Sequence, residues 1–448
     1  MKPRKGIGPR GKREPCTGSF VEVTVDRLAW GGRGVGRPAG KVVFVSKAVP
    51  GDRLKVALTK TRTSFCEGRI ATVLEPSPDR VVPECPWFDR CGGCQWLAVN
   101  YSRQAQEKNA MLRHALRRHI VHAIVEMLVP ADPALAYRHR GDFHAQTGPG
   151  GFRLGFYEEG SHRLVEASGC LLFAPAFCAS LERVRHALAK TPAAVALGRL
   201  TLASSEGEEA ARVAHARLRP GTSAQDAAAL VRCMMASGLE AVLATDGTRV
   251  LASEGTPRIR FGVPGPAGDL EMSAEIRSFT QAHFPMNRLL VEAAVEWLGV
   301  RVGDRLLDLY SGVGNFTLPL ALRCGEVVAV EGSPTACADA RANGAAHGAQ
   351  NILHLEGDAA VETARLAQAG ERFDAVLLDP PRTGAREVIP ALARLGASRL
   401  LYISCNLPCL ERDLGLLGDL GYTPTRIRGF DCFPQTYGLE TLCLLEKR

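Results

Sequence analysis

The chain has 448 residues, enough for two or three domains, and 46% of them are hydrophobic, ample for real cores. Its formal net charge is +8, which suggests a polyanionic partner. No apolar run approaches the ~20 residues that a membrane helix needs, and no apolar stretch follows the charged N-terminus as in a signal peptide. A cytoplasmic protein is therefore expected, with no membrane association. In that reducing setting the 14 cysteines do not read as a disulfide framework.

Residues 1–15 carry Lys2, Arg4, Lys5, Arg10, Lys12 and Arg13 and predict a basic flexible tail, either merely solvated or touching nucleic acid. Residues 16–80 hold short β-rich runs at 20–25, 41–45, 53–58 and 65–74. Between the first two lies the turn Trp30-Gly31-Gly32-Arg33-Gly34-Val35-Gly36-Arg37. This spacing predicts a small five-stranded, OB-like β-barrel. With Lys60, Arg62 and Arg69 it could grip RNA; alternatively the glycines only allow turns and Trp30 fills the core. A proline-rich linker at 75–83 follows. Cys85, Cys91 and Cys94 then form C-x5-C-x2-C, three ligands of a four-cysteine site, which suits either zinc or an iron–sulfur cluster. A surface helix is expected over 101–119. The region 81–274 reads as an α+β central domain with strands at 140–146, 153–157 and 249–252, while the alanine-rich stretch 187–228 is uninformative.

From 275 to 448 the pattern changes to strands at 305–310, 327–331, 352–355, 375–379, 399–404 and 441–445, alternating with helical segments. That alternation predicts an α/β, doubly wound parallel sheet. Asp308-Leu309-Tyr310-Ser311-Gly312-Val313-Gly314-Asn315 follows its first strand and precedes an apolar helix. Glycines there let a ligand approach the backbone at a helix N-terminus, and Glu331, about 20 residues on, is placed for ribose hydroxyls. This D-x-Y-S-G-x-G form is similar to that of Rossmann-like methyltransferases that use S-adenosylmethionine. Asp379-Pro380-Pro381-Arg382 ends the fourth strand; its arginine, where amine methyltransferases carry an aromatic residue, argues against amine methylation.

Leu400-Leu401-Tyr402-Ile403 delivers Cys405 to the end of a strand, where open α/β sheets keep their chemistry. A thiolate there can act in covalent catalysis, and methylation of uracil is one reaction that needs it. Carbon 5 of uracil is a poor nucleophile until a thiolate adds at carbon 6, and a base must then remove the carbon-5 proton before the thiolate can leave. Glu440, opening the last strand after Phe433-Pro434-Gln435, is the candidate base.

The motifs FTQAHFPMN (279–287), DLYSGVGNFTLPLA (308–321), LLDPPRTG (377–384), SCNLPCLERDL (404–414) and FPQTYGLE (433–440) together resemble the bacterial RNA uracil-5-methyltransferases. The closest resemblance is to the branch acting on large-subunit (23S) ribosomal RNA, and it extends over almost the whole chain. The N-terminal barrel resembles that branch's TRAM domain, and residues 154–170 its central domain. The resemblance implies a Rossmann-like class I methyltransferase domain. It implies Cys405 as nucleophile, Glu440 as base, and contacts to S-adenosylmethionine from Gln281, Tyr310, Asn315, Glu331, Asp358 and Asp379. It implies Cys170 as fourth ligand beside Cys85, Cys91 and Cys94, and a [4Fe–4S] cluster in preference to zinc. Ribosomal RNA is the expected partner, ahead of transfer RNA, with no obligate protein partner. A non-catalytic RNA-binding iron–sulfur protein is the alternative from another class. The chain departs from the family pattern at Leu407 and Cys409, where proline and threonine are usual, at Gly438, where a histidine is common, and at His283, where asparagine is frequent.

Overall fold

The computed structural model describes residues 18–447; the basic tail expected over 1–15 lies outside the described residues. The chain divides into two compact units, residues 18–83 with Gln95–Arg103, and Glu84–Cys94 with residues 104–447.

The first unit holds strands β1 (Phe20–Thr24), β2 (Arg27–Leu28), β3 (Gly34–Gly36), β4 (Val42–Ser46), β5 (Arg53–Thr61) and β6 (Phe65–Glu75). They form one six-stranded sheet in the order β1-β5-β6-β4-β3-β2. The glycine-rich stretch is thus not only a turn, since it contributes β3. Gly31 and Gly32 take positive φ, and a Cβ on Gly36 would stand 2.2 Å from the Thr24 carbonyl oxygen, so only glycine lets these backbones approach. Alternation along β5 turns Leu54, Val56 and Leu58 into a core with Val23, Val25, Val43 and Val45. Trp96 is fully buried and donates from Nε1 to the Gly32 carbonyl at 3.0 Å. Asp52, also fully buried, accepts from Val49 N, Ser77 N and the Arg80 fork, which satisfies its charge.

The second unit includes α1 (Tyr101–Ala115) from Gln104 onward, and then β7 (Ile124–Val125). Next come β8 (Arg140–Gly148), β9 (Gly151–Tyr157), β10 (Leu164–Val165), α2 (Pro175–Leu188), β11 (Leu197–Ala203), β12 (Val213–Leu218), α3 (Ala224–Met235), β13 (Ala241–Asp246) and β14 (Arg249–Glu254). Their strands form a seven-stranded sheet, β10-β9-β8-β11-β12-β13-β14. Helices α2 and α3 cover one face, where Phe143, Leu154, Leu200, Leu202 and Val242 pack against Phe177, Leu181 and Leu230. Two of these strands, β11 and β12, and the start of α3 come from the alanine-rich stretch. Alanine is small enough for either element, so its pattern is silent about both.

A hairpin of β15 (Arg258–Gly265) and β16 (Gly268–Glu275) leads to α4 (Phe284–Leu298). The alternating region follows as β17 (Arg305–Leu309), α5 (Thr317–Ala321), β18 (Glu326–Glu331), α6 (Pro334–Ala346), β19 (Ile352–Glu356), α7 (Ala359–Gln368), β20 (Ala375–Leu378), α8 (Ile389–Leu395), β21 (Arg399–Ser404), α9 (Leu407–Asp419), β22 (Tyr422–Phe430) and β23 (Glu440–Lys447). The sheet order is β19-β18-β17-β20-β21-β23-β22-β7. Strands β17 to β21 are mutually parallel, but β23 runs antiparallel to β21 and to β22. A wholly parallel sheet is therefore not what forms. The connection from β22 to β23 is too short for a crossover helix, and a short link between neighbouring strands makes them antiparallel.

Candidate active site

The parallel strands bring their carboxyl ends to one rim, which places the Tyr310–Asn315 loop, Asp379 and Cys405 side by side along it. The antiparallel β23 brings its beginning to the same rim. Ser404 pairs with Thr441, so one more step of that register sets Cys405 opposite Glu440. Two residues 35 positions apart by number thus meet through strand pairing alone.

Cys405 lies between β21 and the first turn of α9, where the helix N-terminus favours a thiolate. Burial nevertheless pushes its thiol up to about 12, helped by the charges of Glu440 and Asp379, while Arg382 acts in the opposite direction. Glu440 is only 4% exposed, and its Oε2 has no hydrogen-bond partner among the described residues. Burial and Asp379 hold its carboxyl well above the usual range. Asp379 keeps a little solvent contact but is densely surrounded; burial, then Asp308, raises it to about 7. Asp308, which sequence reasoning gave no role, joins this group. Its Oδ2 accepts from Thr317 Oγ1 at 2.6 Å, its Oδ1 is buried without a partner, and burial raises it to about 7. Carboxyls raised together by burial and by one another's charge form a site that a bound positive charge would stabilise.

The glycine loop has the backbone expected of a ligand cradle. Tyr310 takes φ +66, and Gly312 and Gly314 take +56 and +90. A strained tyrosine at the head of such a loop persists only where its surroundings fix it. Asn315 exchanges two amide hydrogen bonds with Asn287, at 2.8 and 3.0 Å. Asn287 closes the FTQAHFPMN motif and is buried, so this pair pins the loop to α4. Glu331, at the end of β18, accepts from Gly312 N and Ser333 N, and each oxygen keeps a lone pair for a hydroxyl. Gln281 has a buried Oε1 without a partner among the described residues. Asp358 caps α7 by accepting from Ala360 N and Val361 N. It lies close enough to Tyr310 for its charge to help burial push that phenol up to about 12.

The departures from the family pattern have local causes. Cys409 Sγ and Asn406 Nδ2 both donate to the Arg382 carbonyl, at 3.2 and 2.8 Å, tying the nucleophile's helix to the Asp379–Arg382 segment. Leu407 is buried in the core. A Cβ on Gly438 would stand 3.1 to 3.3 Å from the Phe433 side chain, so a larger residue there needs that ring to move. His283 caps α4 by accepting from Met286 N, while Nε2 faces the Pro133 carbonyl at 3.0 Å and the ring stacks on Tyr137.

Two buried devices hold the flanking segments, and neither has a sequence signature. Asp413 accepts from Ala385 N and Tyr402 Oη, both at 2.7 Å. On the other side, Lys108 of α1 reaches Asp431 at 2.5 Å and the Phe433 carbonyl at 3.0 Å, and Gln104 exchanges two hydrogen bonds with Gln435. Both members of the Lys108–Asp431 pair are fully buried. Desolvation offsets most of the attraction in such a pair, so its contribution is chiefly to fix geometry; here it frames the loop that ends at Glu440.

The cysteine loop forms a separate site. Trp87 Nε1 donates to the Ser168 carbonyl at 2.9 Å and Gly92 N to the Tyr157 carbonyl at 3.0 Å, which brings the loop against Cys170. Burial raises the Cys94 thiol, and the charges of Cys170, Cys91 and Cys85 raise it further. The four sulfurs therefore lie within electrostatic reach of one another. Among the described residues no three Cys, His, Asp or Glu side chains converge as ligands of a single metal ion.

Residues 269–448 match the family described as tRNA (Uracil-5-)-methyltransferase, and residues 14–71 match the TRAM domain. The 23S rRNA (uracil(1939)-C(5))-methyltransferase RlmD of Klebsiella pneumoniae subsp. pneumoniae is 33% identical over 440 residues, covering 98% of each chain. The chain belongs to the RNA uracil-5-methyltransferase family. The family member of the same name from Salmonella typhimurium is 33% identical over 437 residues, 97% of this chain and 98% of that one. In fold, the chain is similar to the Pyrococcus abyssi tRNA (uracil-54, C5)-methyltransferase solved with S-adenosyl-L-homocysteine. The TM-score is 0.72 at 21% identity, over 95% of this chain and 100% of that one. The methyltransferase fold and the N-terminal TRAM domain expected of a family member are thus both present.

Proposed function

We propose that this protein transfers a methyl group from S-adenosylmethionine to carbon 5 of a uridine in large-subunit ribosomal RNA. The observation that carries the reading is the meeting of Cys405 with Glu440 and Asp379 on the rim that also holds the glycine loop. The relatives that match this chain over nearly its whole length are named for 23S rRNA, which favours ribosomal over transfer RNA as substrate. A local structural role for Cys409, which bonds the Arg382 carbonyl, weakens the case for a vestigial catalytic domain.

The residues fit the methyl donor. Left-handed glycines open the loop, Glu331 at the end of β18 has lone pairs that ribose hydroxyls could use, and the buried acids suit a sulfonium charge. In this reading Gln281, Tyr310, Asn315, Glu331, Asp358 and Asp379 hold the donor, which when bound supplies an electrophilic methyl group. Asp358 would use its second carboxylate oxygen, since the first caps α7. Cys405, as thiolate, adds to carbon 6 of the uracil, and electron density gathers at carbon 5. After carbon 5 is methylated, Glu440 takes the proton from that carbon and the Cys405–carbon 6 bond breaks. The target base must leave any helical stack to reach both groups, at a cost of a few kcal/mol. Contacts from residues 16–80, read as an OB-like RNA-binding barrel, and from the basic tail would offset that cost. Residues 81–274 would form the central domain, residues 275–448 the catalytic one, and the enzyme would work in the cytoplasm without an obligate protein partner.

For the cysteine site we infer a [4Fe–4S] cluster held by Cys85, Cys91, Cys94 and Cys170. Four thiols within electrostatic reach of one another supply the all-cysteine ligand set that such a cluster takes. Protein prepared without oxygen should contain iron and acid-labile sulfide in equal amounts, and Cys94→Ser should lose both. Zinc without sulfide would reject the cluster.

The acids also make a pH prediction. Asp308 and Asp379 are raised to about 7 from an ordinary value near 4. The folded state then binds more protons than the unfolded state, so stability falls as pH rises from about 4 through about 7, and levels off above it. The ligand-free melting temperature should fall between pH 5 and pH 8 (roughly the window those values set). Binding of S-adenosylmethionine should strengthen over the same range relative to S-adenosylhomocysteine, which lacks the positive charge. Parallel pH curves for the two ligands would reject a sulfonium site beside these acids.

The function itself is tested by mixing the protein with 5-fluorouridine-substituted ribosomal RNA and S-adenosylmethionine. Fluorine cannot leave as a proton does, so the enzyme should be trapped as a covalent RNA complex that survives denaturation. No such complex, and no 5-methyluridine in unmodified RNA, would reject the reading.

A further inference from the structure

One short segment before β8, residues 133–139, touches three places: the cysteine site, the motif that carries Gln281, and the loop that ends at Glu440. Its backbone lies beside the cysteine site. Ala136 N donates to the Leu171 carbonyl at 2.9 Å, and Arg138 N to the Leu172 carbonyl at 2.8 Å. Arg138 and Phe173 form a parallel bridge, and Phe173 N donates to the carbonyl of Cys170 itself at 3.1 Å. The residues that follow the fourth cysteine are thus paired directly with this segment.

Its side chains hold the other two places. His139 is buried, and its ring stacks on Phe284 with centroids 3.6 Å apart and planes 15° from parallel. Burial and the charge of Arg140 lower its pKa to about 3, so the ring is neutral. Nδ1 then donates to the Ala282 carbonyl at 3.1 Å, and Nε2 accepts from Thr280 Oγ1 at 3.3 Å. His139 therefore grips the residues on either side of Gln281. Tyr137 stacks on His283 and donates from Oη to the Pro434 carbonyl at 3.3 Å, while Gln435 Nε2 donates to the Ala134 carbonyl at 3.3 Å.

Between Tyr137 and His139 stands Arg138, and its hydrogen bonding is incomplete. Its Nε is buried without a partner among the described residues, which is costly for a charged group. Its charge reaches Cys94, where it favours the thiolate against burial and the charges of the other cysteines. It also reaches the Tyr137 phenol, which burial raises to about 12 and Arg138 pulls back. Four thiolates leave an iron–sulfur cluster negatively charged, and donors and charges beside its sulfurs tune its potential and orient its ligands.

We propose that Arg138 is a positioning residue that couples the cysteine site to the methyl-donor site. The filled cysteine site pairs with the Arg138 guanidinium, and residues 137–139, fixed by that pairing, hold Gln281 in place for S-adenosylmethionine. The proposal rests on the iron–sulfur reading above, and it gives the cluster a task in a reaction that moves no net electrons. Packing alone does not account for the arginine, because an apolar side chain would fill the space without an unpaired nitrogen.

The test uses the full chain prepared without oxygen and compares wild type with Arg138→Gln, Arg138→Lys, Cys94→Ser and the double variant Cys94→Ser/Arg138→Gln. Iron and sulfide content, melting temperature, S-adenosylhomocysteine affinity and the midpoint potential of any cluster are measured. Arg138→Gln should keep its iron and sulfide, shift the midpoint potential to a more negative value and bind S-adenosylhomocysteine about fivefold more weakly. Arg138→Lys, which keeps the charge, should recover most of both. Cys94→Ser should lose the cluster and bind about tenfold more weakly. The double variant should bind no more weakly than Cys94→Ser, as residues on one route do. An unshifted potential in Arg138→Gln, wild-type affinity in Cys94→Ser, or losses that multiply in the double variant would each overturn the coupling. Wild type that holds iron and sulfide would keep the cluster reading in all three cases. If Cys94→Ser does not fold, the potential and affinity of Arg138→Gln decide alone. If wild type holds neither iron nor sulfide, the cluster reading fails and the coupling fails with it.

Discussion

Replacing Cys405 by alanine should lower methyl transfer to ribosomal RNA by on the order of 10⁴-fold or more. The proposed reaction has no other route to a nucleophilic carbon 5, and no neighbouring group can substitute. Cys409 is committed to the Arg382 carbonyl and sits a helical turn further on, and the other nearby thiol, Cys432, is buried and held far above its ordinary pKa by burial and Glu440. The substitution removes one partly buried sulfur at the junction of β21 and α9. The fold and the binding of S-adenosylhomocysteine should therefore persist. The covalent complex with 5-fluorouridine RNA should vanish with the activity. Retention of that complex in Cys405→Ala would place the nucleophile elsewhere, with Cys432 the next candidate.

Glu440→Gln should separate the two halves of the reaction. Addition of the thiolate does not need the carboxylate as proton acceptor from carbon 5, but resolution of the methylated intermediate does. Turnover should fall about 10²- to 10⁴-fold, the range of a lost general base, while a covalent protein–RNA complex accumulates on ordinary, unfluorinated RNA. Charge works in the same direction. Glu440 is the largest electrostatic influence, after burial, raising the Cys405 thiol, so at pH values where Glu440 is ionised the neutral amide should ease thiolate formation and make adduct formation faster. Rapid-quench measurement of adduct and product against time distinguishes the steps. A folded Glu440→Gln protein that forms no adduct would show that Glu440 acts before addition, as the acceptor of the thiol proton.

Much of this site is written locally in the chain. The run Leu400 to Ile403 must be a buried strand, and Asn406 and Pro408 cannot continue it, so Cys405 falls at a strand end whatever the rest does. The glycines of 312–314 announce a left-handed turn between strand and helix in the same way, and the structure has both. The alternation of strands and helices after residue 275 likewise follows from short-range periodicity.

Other features depended on which distant segments pack together. Nothing near Glu440 states that β23 runs antiparallel to β21; the pairing of Ser404 with Thr441 does, and that pairing sets the base against the thiol. Asn287 and Asn315 read as separate motif residues until their amides meet. Asp308 reads as a strand residue until burial beside Asp379 makes it an acid titrating near 7. Lys108 reads as one charge on a basic helix until it reaches Asp431, 323 residues away. The sequence by itself determined which residues could be reactive and at which element ends they stand, because turns, strand ends and caps are decided by a few adjacent residues. The tertiary structure alone decided which of them face one another, because strand order, register and burial arise from the packing of the whole sheet, and burial is what shifts their proton affinities.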